Sequence, residues 1–155
     1  MQYLAGIDVG TTGTRCSIYD LNGNRVNSEY SEYPSTYPNP GWVEQDIRYM
    51  IKRCMATCRK TISASGVKPE NIVSIGFSTQ RSVTCPVDAE GKPVRDMISW
   101  QDARTGAEVT DMRKLIDDDE YYALSGLPMG TTWIISKILW MRKNEPELFA
   151  KTVKV

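Results

Sequence analysis

Leu4-Ala5-Gly6-Ile7-Asp8-Val9-Gly10-Thr11-Thr12-Gly13-Thr14-Arg15 is the stretch whose reading decides the fold. Tyr3–Val9 is short, apolar and glycine-bounded, so it reads as a buried strand. Cys16-Ser17-Ile18-Tyr19 alternates as a second strand. Gly10 to Gly13 is therefore a tight turn between two strands. Glycine permits φ > 0 and leaves no Cβ to bar a ligand from the backbone N–H groups. Successive N–H groups and threonine hydroxyls around such a turn suit phosphate oxygens. Asp8, at the strand's end, suits Mg²⁺, which takes oxygen ligands and keeps several waters. The plainer alternative is an ordinary hairpin with a glycine-rich turn. Two other phosphate motifs are missing. There is no G-x-x-x-x-G-K-[ST], and no G-x-G-x-x-G leads from a strand into a helix.

Working outward, Asp20-Leu21-Asn22-Gly23 makes a turn and 25–33 reads as a third strand, so the chain opens as a meander. Pro34, Pro38 and Pro40 mark a loop that ends in Gly41-Trp42-Val43-Glu44-Gln45-Asp46. Asp46 is a candidate N-cap. Ile47, Met50, Ile51, Cys54, Met55, Cys58 and Ile62 recur at helical spacing, which predicts an amphipathic helix over 47–63. Ile72-Val73-Ser74-Ile75-Gly76-Phe77 is a further apolar strand, running into Ser78-Thr79-Gln80-Arg81-Ser82. Residues 83–87 and 92–99 read as strands around Asp88-Ala89-Glu90-Gly91. The D-x-x-G-x-x-V pattern at Asp20 recurs at Asp88, which reads as shared hairpin chemistry.

Asp102 is a candidate cap for a helix burying Val109, Met112, Leu115 and Ile116. Asp117, Asp118, Asp119 and Glu120 read as the acidic start of a short helix over 120–124, which the helix dipole favours over a metal cluster. Residues 133–143 predict another helix, Pro146 the start of a last short one, and 152–155 the beginning of a strand.

Composition narrows the function classes. The 155 residues suffice for one domain with a real core, and 41% hydrophobic with 25% charged residues is ordinary for a globular protein. Net charge is zero, so no basic stripe favours nucleic acid. The absence of histidine excludes Ser-His-Asp and Cys-His mechanisms and any histidine metal site within these residues. Cys16, Cys54, Cys58 and Cys85 form no C-x-x-C pair, and Cys54 and Cys58 read as small core residues. Neither a signal peptide nor an apolar run of membrane-spanning length is visible, so a cytoplasmic location is the expectation.

Three stretches together resemble the FGGY family of carbohydrate kinases: Gly6 to Arg15, Gly41 to Asp46, and the pair Ser78-Thr79-Gln80-Arg81 and Trp100-Gln101-Asp102-Ala103-Arg104-Thr105. Their order and spacing are similar to the N-terminal part of the family's first domain, over essentially all of residues 1–155. The resemblance implies an α/β fold of the RNase H-like, actin/hexokinase/Hsp70 type, present in part, with a mixed sheet and flanking helices. It implies ATP-dependent phosphorylation of a sugar hydroxyl with ATP and Mg²⁺ as cofactors, a mechanism of positioning and charge neutralisation. It places Asp8 by the Mg²⁺-phosphate, as catalytic and metal residue. Gly10, Thr11, Thr12, Gly13, Thr14 and Arg15 fall on the phosphate side. Gln80, Arg81, Trp100 and Asp102 line or support the sugar pocket. Arg104 reads as structural and Glu44 as a surface residue.

The chain also departs from the pattern. Glycerol kinases of the family carry Gln-Arg-Glu where this chain has Gln80-Arg81-Ser82, and a tyrosine in the region of Thr132 and Trp133, before the Lys-x-x-Trp helix. A ketose or sugar-acid substrate is therefore expected in preference to glycerol. In the family the catalytic base and the second, adenosine-binding domain come later in the sequence. The rest of the first domain and all of the second are thus expected to lie outside these 155 residues, which alone should be inactive. A second copy of the chain is a candidate cover for an open sheet edge. Two other classes remain as alternatives. One is a phosphatase with a nucleophilic aspartate, disfavoured because Gly10 stands where the second aspartate of D-x-D belongs. The other is a non-catalytic actin- or Hsp70-like nucleotide-binding module.

Overall fold

The computed structural model describes all 155 residues, Met1–Val155. In chain order the strands are β1 (Tyr3–Val9), β2 (Gly13–Asp20), β3 (Arg25–Glu32), β4 (Glu44–Gln45), β5 (Ile72–Thr79) and β6 (Met97–Ile98). The helices are α1 (Ile47–Ser65), α2 (Gly106–Met112), α3 (Asp118–Ser125), α4 (Ile134–Asn144) and α5 (Pro146–Lys151). They fall into two compact units, Met1–Pro34 with Arg48–Gln80, and Ser35–Ile47 with Arg81–Val155.

The first unit is a four-stranded mixed sheet in the order β3-β2-β1-β5. The meander β1-β2-β3 is antiparallel, and β5 returns parallel to β1 after α1, as a parallel pair requires. Thr14, Cys16 and Ile18 of β2 are buried, while β5 is an edge strand whose Phe77 is 70% exposed. The predicted stripe on α1 is partly corrected. Met50 is buried, but so are Thr57 and Thr61, whereas Ile51 and Met55 are exposed. The Thr57 and Thr61 hydroxyls donate to the Arg53 and Thr57 carbonyls four residues back, at 2.9 and 2.8 Å. With their hydroxyls satisfied inside the helix, these threonines serve as small core residues.

In the second unit the strands predicted over 83–87 and 92–99 shrink to β6 and isolated bridges, Thr84 to Ile98 and Val87 to Pro93. Pro86 and Pro93 lack the N–H that a ladder needs. β6 pairs with β4, which the sequence reading missed. Ile98, Trp140 and Met141 form one core cluster with Trp42 and Phe149 against it. Val109, Met112 and Met129 form another. Leu115, predicted on the buried face of α2, is 88% exposed because α2 ends at Met112. Asp117 caps α3, accepting the Asp119 and Glu120 amides, so the acidic run starts a helix as expected. The last four residues contribute one bridge, Lys154 to Val87. The two D-x-x-G turns, one in each unit, share their bonding. Asp20 Oδ1 accepts the Asn22 and Asn24 amides, and Asp88 Oδ1 accepts those of Glu90 and Lys92. No helix is long and apolar enough to cross a membrane.

Candidate active site

Asp8 stands near the C-terminal end of β1, exposed, with no hydrogen bond or ion pair to its carboxylate. The sheet register sets Arg15 directly opposite it on β2 and Ser78 beside it on β5. Gly6 and Gly76 are also register partners, and a Cβ on either would point into open space. The two missing side chains leave a depression of about 380 Å³, lined by Gly6, Asp8, Arg15, Ser17, Gly76 and Ser78. Arg15 reaches Ser28 Oγ at 3.4 Å and lies over the Tyr30 ring at 5.1 Å.

The turn after Asp8 closes through the Gly10 amide, which donates to the Gly13 carbonyl at 2.9 Å. Neither glycine uses positive φ, contrary to the usual reason for glycine in a turn. Gly13 is required by close approach instead. A Cβ there would fall 2.4 Å from the Tyr30 hydroxyl and 2.6 Å from the Ser31 carbonyl. Thr12 Oγ1 is 3.4 Å from that same Tyr30 hydroxyl. Thr14 is 1% exposed, and its hydroxyl donates to the Asp8 carbonyl at 2.9 Å. It braces the strand end and offers no free hydroxyl to a ligand. Tyr33, which sequence reading passed over, seats its hydroxyl on the Gly10 and Gly13 carbonyls, one hydrogen shared between them. Burial, then Cys54 and Asp8, pushes its pKa up to about 12, so it stays a donor.

On the other unit, Arg81 is exposed and Trp100 is 40% exposed. Gln80 closes the β1–β5 ladder of the first unit, its amide donating to the Val9 carbonyl at 2.8 Å. Asp102 is neither a helix cap nor a surface ligand. α2 begins only at Gly106, after Thr105. Asp102 is fully buried, and four protein donors occupy its two oxygens: the Val43 amide at 2.6 Å, the Arg104 amide at 3.0 Å, and Arg104 Nε and Nη2 at 2.9 and 2.8 Å. It supports the loop after Trp100 from beneath.

Arg104 is structural, as expected. Its guanidinium lies 3.9 Å from the Trp42 ring centre and 4.8 Å from that of Trp140. Glu44, expected at the surface, is half-buried, with 12% of its side chain exposed, and binds Arg104 at 2.7 Å and also Arg95. Arg95 binds Glu145 as well. A buried ion pair lasts only when its charges are compensated, and here alternating charges and the faces of two indoles do so, although Arg104 Nη1 itself makes no hydrogen bond. The Gly41 to Asp46 and Trp100 to Thr105 motifs thus form one cluster. Gly41 takes φ +77° where the Ala103 amide donates to its carbonyl at 2.9 Å. Lys137 was also missed. A lone lysine amid apolar residues on α4 gives no sequence signal that it is buried.

Residues 3–155 match the FGGY family of carbohydrate kinases, N-terminal domain. The chain belongs to this family. A glycerol kinase from Chloroflexus aggregans is 35% identical over 147 residues, which is 94% of this chain and 30% of that protein. A solved xyloylose kinase from Brucella ovis is 29% identical with a TM-score of 0.89, covering 99% of this chain and 31% of that one. Glycerol kinase from Plasmodium falciparum, solved with ADP, is 26% identical with a TM-score of 0.86, over 97% and 30%. This FGGY chain therefore has the actin/hexokinase-type ATPase fold, and it spans about a third of the length of these relatives.

Proposed function

We propose that these residues are the N-terminal part of the first domain of an ATP-dependent carbohydrate kinase. The observation that carries the reading is Asp8: an exposed carboxylate without a partner, beside a glycine-threonine turn and opposite Arg15. In this reading Asp8 holds Mg²⁺ through oxygen, Arg15 and the turn from Gly10 to Gly13 attend the phosphates, and Thr14 braces them. The donors fit the ion. No group of three or more acidic, thiol or imidazole ligands gathers here, and Mg²⁺ characteristically takes one or two carboxylates with waters and substrate phosphates. Bound Mg²⁺ would neutralise charge developing on the transferred phosphoryl group.

Gln80, Arg81 and Trp100 are assigned to the acceptor, with Asp102 supporting them. Arg81 offers a guanidinium that makes no hydrogen bond or ion pair within the chain, and Trp100 offers a flat apolar face for a sugar ring. Ser82 brings no carboxylate to this loop, which favours a ketose or sugar acid over glycerol. Glycerol is the second reading, favoured by the name of the 35% identical relative.

Full-length protein assayed for ADP release with ATP, Mg²⁺, pentuloses, sugar acids and glycerol tests both. Release that depends on a pentulose or sugar acid supports the first reading; preference for glycerol supports the second. No acceptor-dependent release overturns the kinase assignment. The 155-residue chain alone should release none.

A further inference from the structure

Lys137 is wholly buried on α4, in the second unit. Its Nζ lies 2.6 Å from the Ser99 carbonyl oxygen, 3.0 Å from that of Thr132 and 3.2 Å from that of Ser82. An ammonium has three N–H groups and no acceptor, so three carbonyls satisfy it. No carboxylate touches it. The three carbonyls come from separate segments, two of them beside residues assigned to the acceptor. Ser82 follows Arg81, Ser99 precedes Trp100, and Thr132 leads into α4.

A second observation concerns Ser82 alone. It is the one non-glycine residue with positive φ, at +58°. That conformation crowds Cβ against the backbone and persists only where surrounding contacts hold it. The bond from Lys137 to the Ser82 carbonyl is such a contact.

We propose that Lys137 is a positioning residue for the acceptor: its ammonium ties the Ser82, Ser99 and Thr132 carbonyls together and so sets the backbone from which Arg81 and Trp100 extend. The proposal rests on the kinase reading above and adds to it. Burial holds Lys137 below its ordinary 10.5, at about 8; Asp102 raises it and Arg104 lowers it. An amine that has lost its proton keeps two N–H groups for three carbonyls. The tie therefore weakens as pH rises through about 8.

The test uses full-length protein with Lys137→Met and Lys137→Arg. Amide exchange is followed by mass spectrometry, and KM is measured for acceptor and ATP from pH 6.5 to 9.5. In Lys137→Met, exchange over 81–84, 98–101 and 131–133 should quicken by about tenfold or more while β1 to β3 stay protected. Acceptor KM should rise roughly tenfold, the effect of about one lost charge-assisted hydrogen bond, with ATP KM within about twofold. Wild-type acceptor KM should climb above pH 8, and Lys137→Arg, which stays charged, should recover binding without that climb. Unchanged exchange in the three segments, or acceptor and ATP KM rising together, overturns the proposal. If Lys137→Met does not fold, the wild-type profile decides, and a flat acceptor KM overturns it. Wild type lacking acceptor-dependent ADP release would sink the kinase reading instead, with the exchange comparison still deciding whether Lys137 ties the segments.

Discussion

The Asp102 carboxylate accepts the Val43 amide at 2.6 Å across 59 residues of chain. That bond joins two stretches of family motif into one buried cluster, with Arg104 between the Trp42 and Trp140 rings. Replacing Asp102 with Ala would leave the Arg104 charge buried with Glu44 as its remaining carboxylate. Breaking a buried pair from one side costs about 3–5 kcal/mol. Denaturant unfolding of full-length Asp102→Ala should show a loss of that size. A loss within the range of an exposed pair would show that the cluster is not a support.

Gly13 and Gly10 should respond differently to alanine. At Gly13 the new Cβ would meet the Ser31 carbonyl at 2.6 Å, and backbone cannot swing aside. Overpacking of this kind costs about 1–3 kcal/mol. At Gly10 the nearest atom would be the Gly13 carbonyl at 3.5 Å, an ordinary contact. Gly13→Ala should lower the melting temperature and raise ATP KM, and Gly10→Ala should do neither to the same degree. Equal effects would remove the close approach as the reason for Gly13.

Tyr33→Phe removes the hydroxyl shared by the Gly10 and Gly13 carbonyls, a loss of about 1–3 kcal/mol. Its pKa is raised from 10 to about 12, so the folded state holds this proton where the unfolded state releases it. The Tyr33 contribution is complete below pH 10 and fades as pH rises through about 12. The stability gap between wild type and Tyr33→Phe should therefore narrow over that range. A gap independent of pH would show that the hydroxyl does not titrate as described.

Arg81→Ala and Trp100→Ala should each raise acceptor KM while leaving ATP KM nearly unchanged. Each lost hydrogen bond or stacking face removes about 1–3 kcal/mol of acceptor binding, up to about a hundredfold in KM. Parallel losses for acceptor and ATP would remove these residues from the acceptor side.

The meander, α1 and β5 were legible in the sequence because their signals are local: strand alternation, glycine turns and one amphipathic period. The buried face of α1 was less so, since Thr57 and Thr61 look polar until their hydroxyls are seen to bond their own helix. The strands over 83–87 and 92–99 were over-read although Pro86 and Pro93 stood in them. At the candidate site, Asp8 stood out because an aspartate at a strand end before a glycine-threonine turn is a local pattern, and the fold leaves that carboxylate exposed. Lys137, Glu44 and Tyr33 were not, because their burial is set by partners 20 to 55 residues away. No periodicity within their own segments carries that information.

The most direct test of the kinase reading is the turnover of full-length Asp8→Asn beside wild type, with ATP, Mg²⁺ and the best acceptor from the panel. Asn keeps the shape of the side chain and removes its charge at a step governed by electrostatic positioning. Turnover should fall by about a hundredfold or more, with the unfolding curve unchanged. Near-normal turnover in Asp8→Asn would contradict the account.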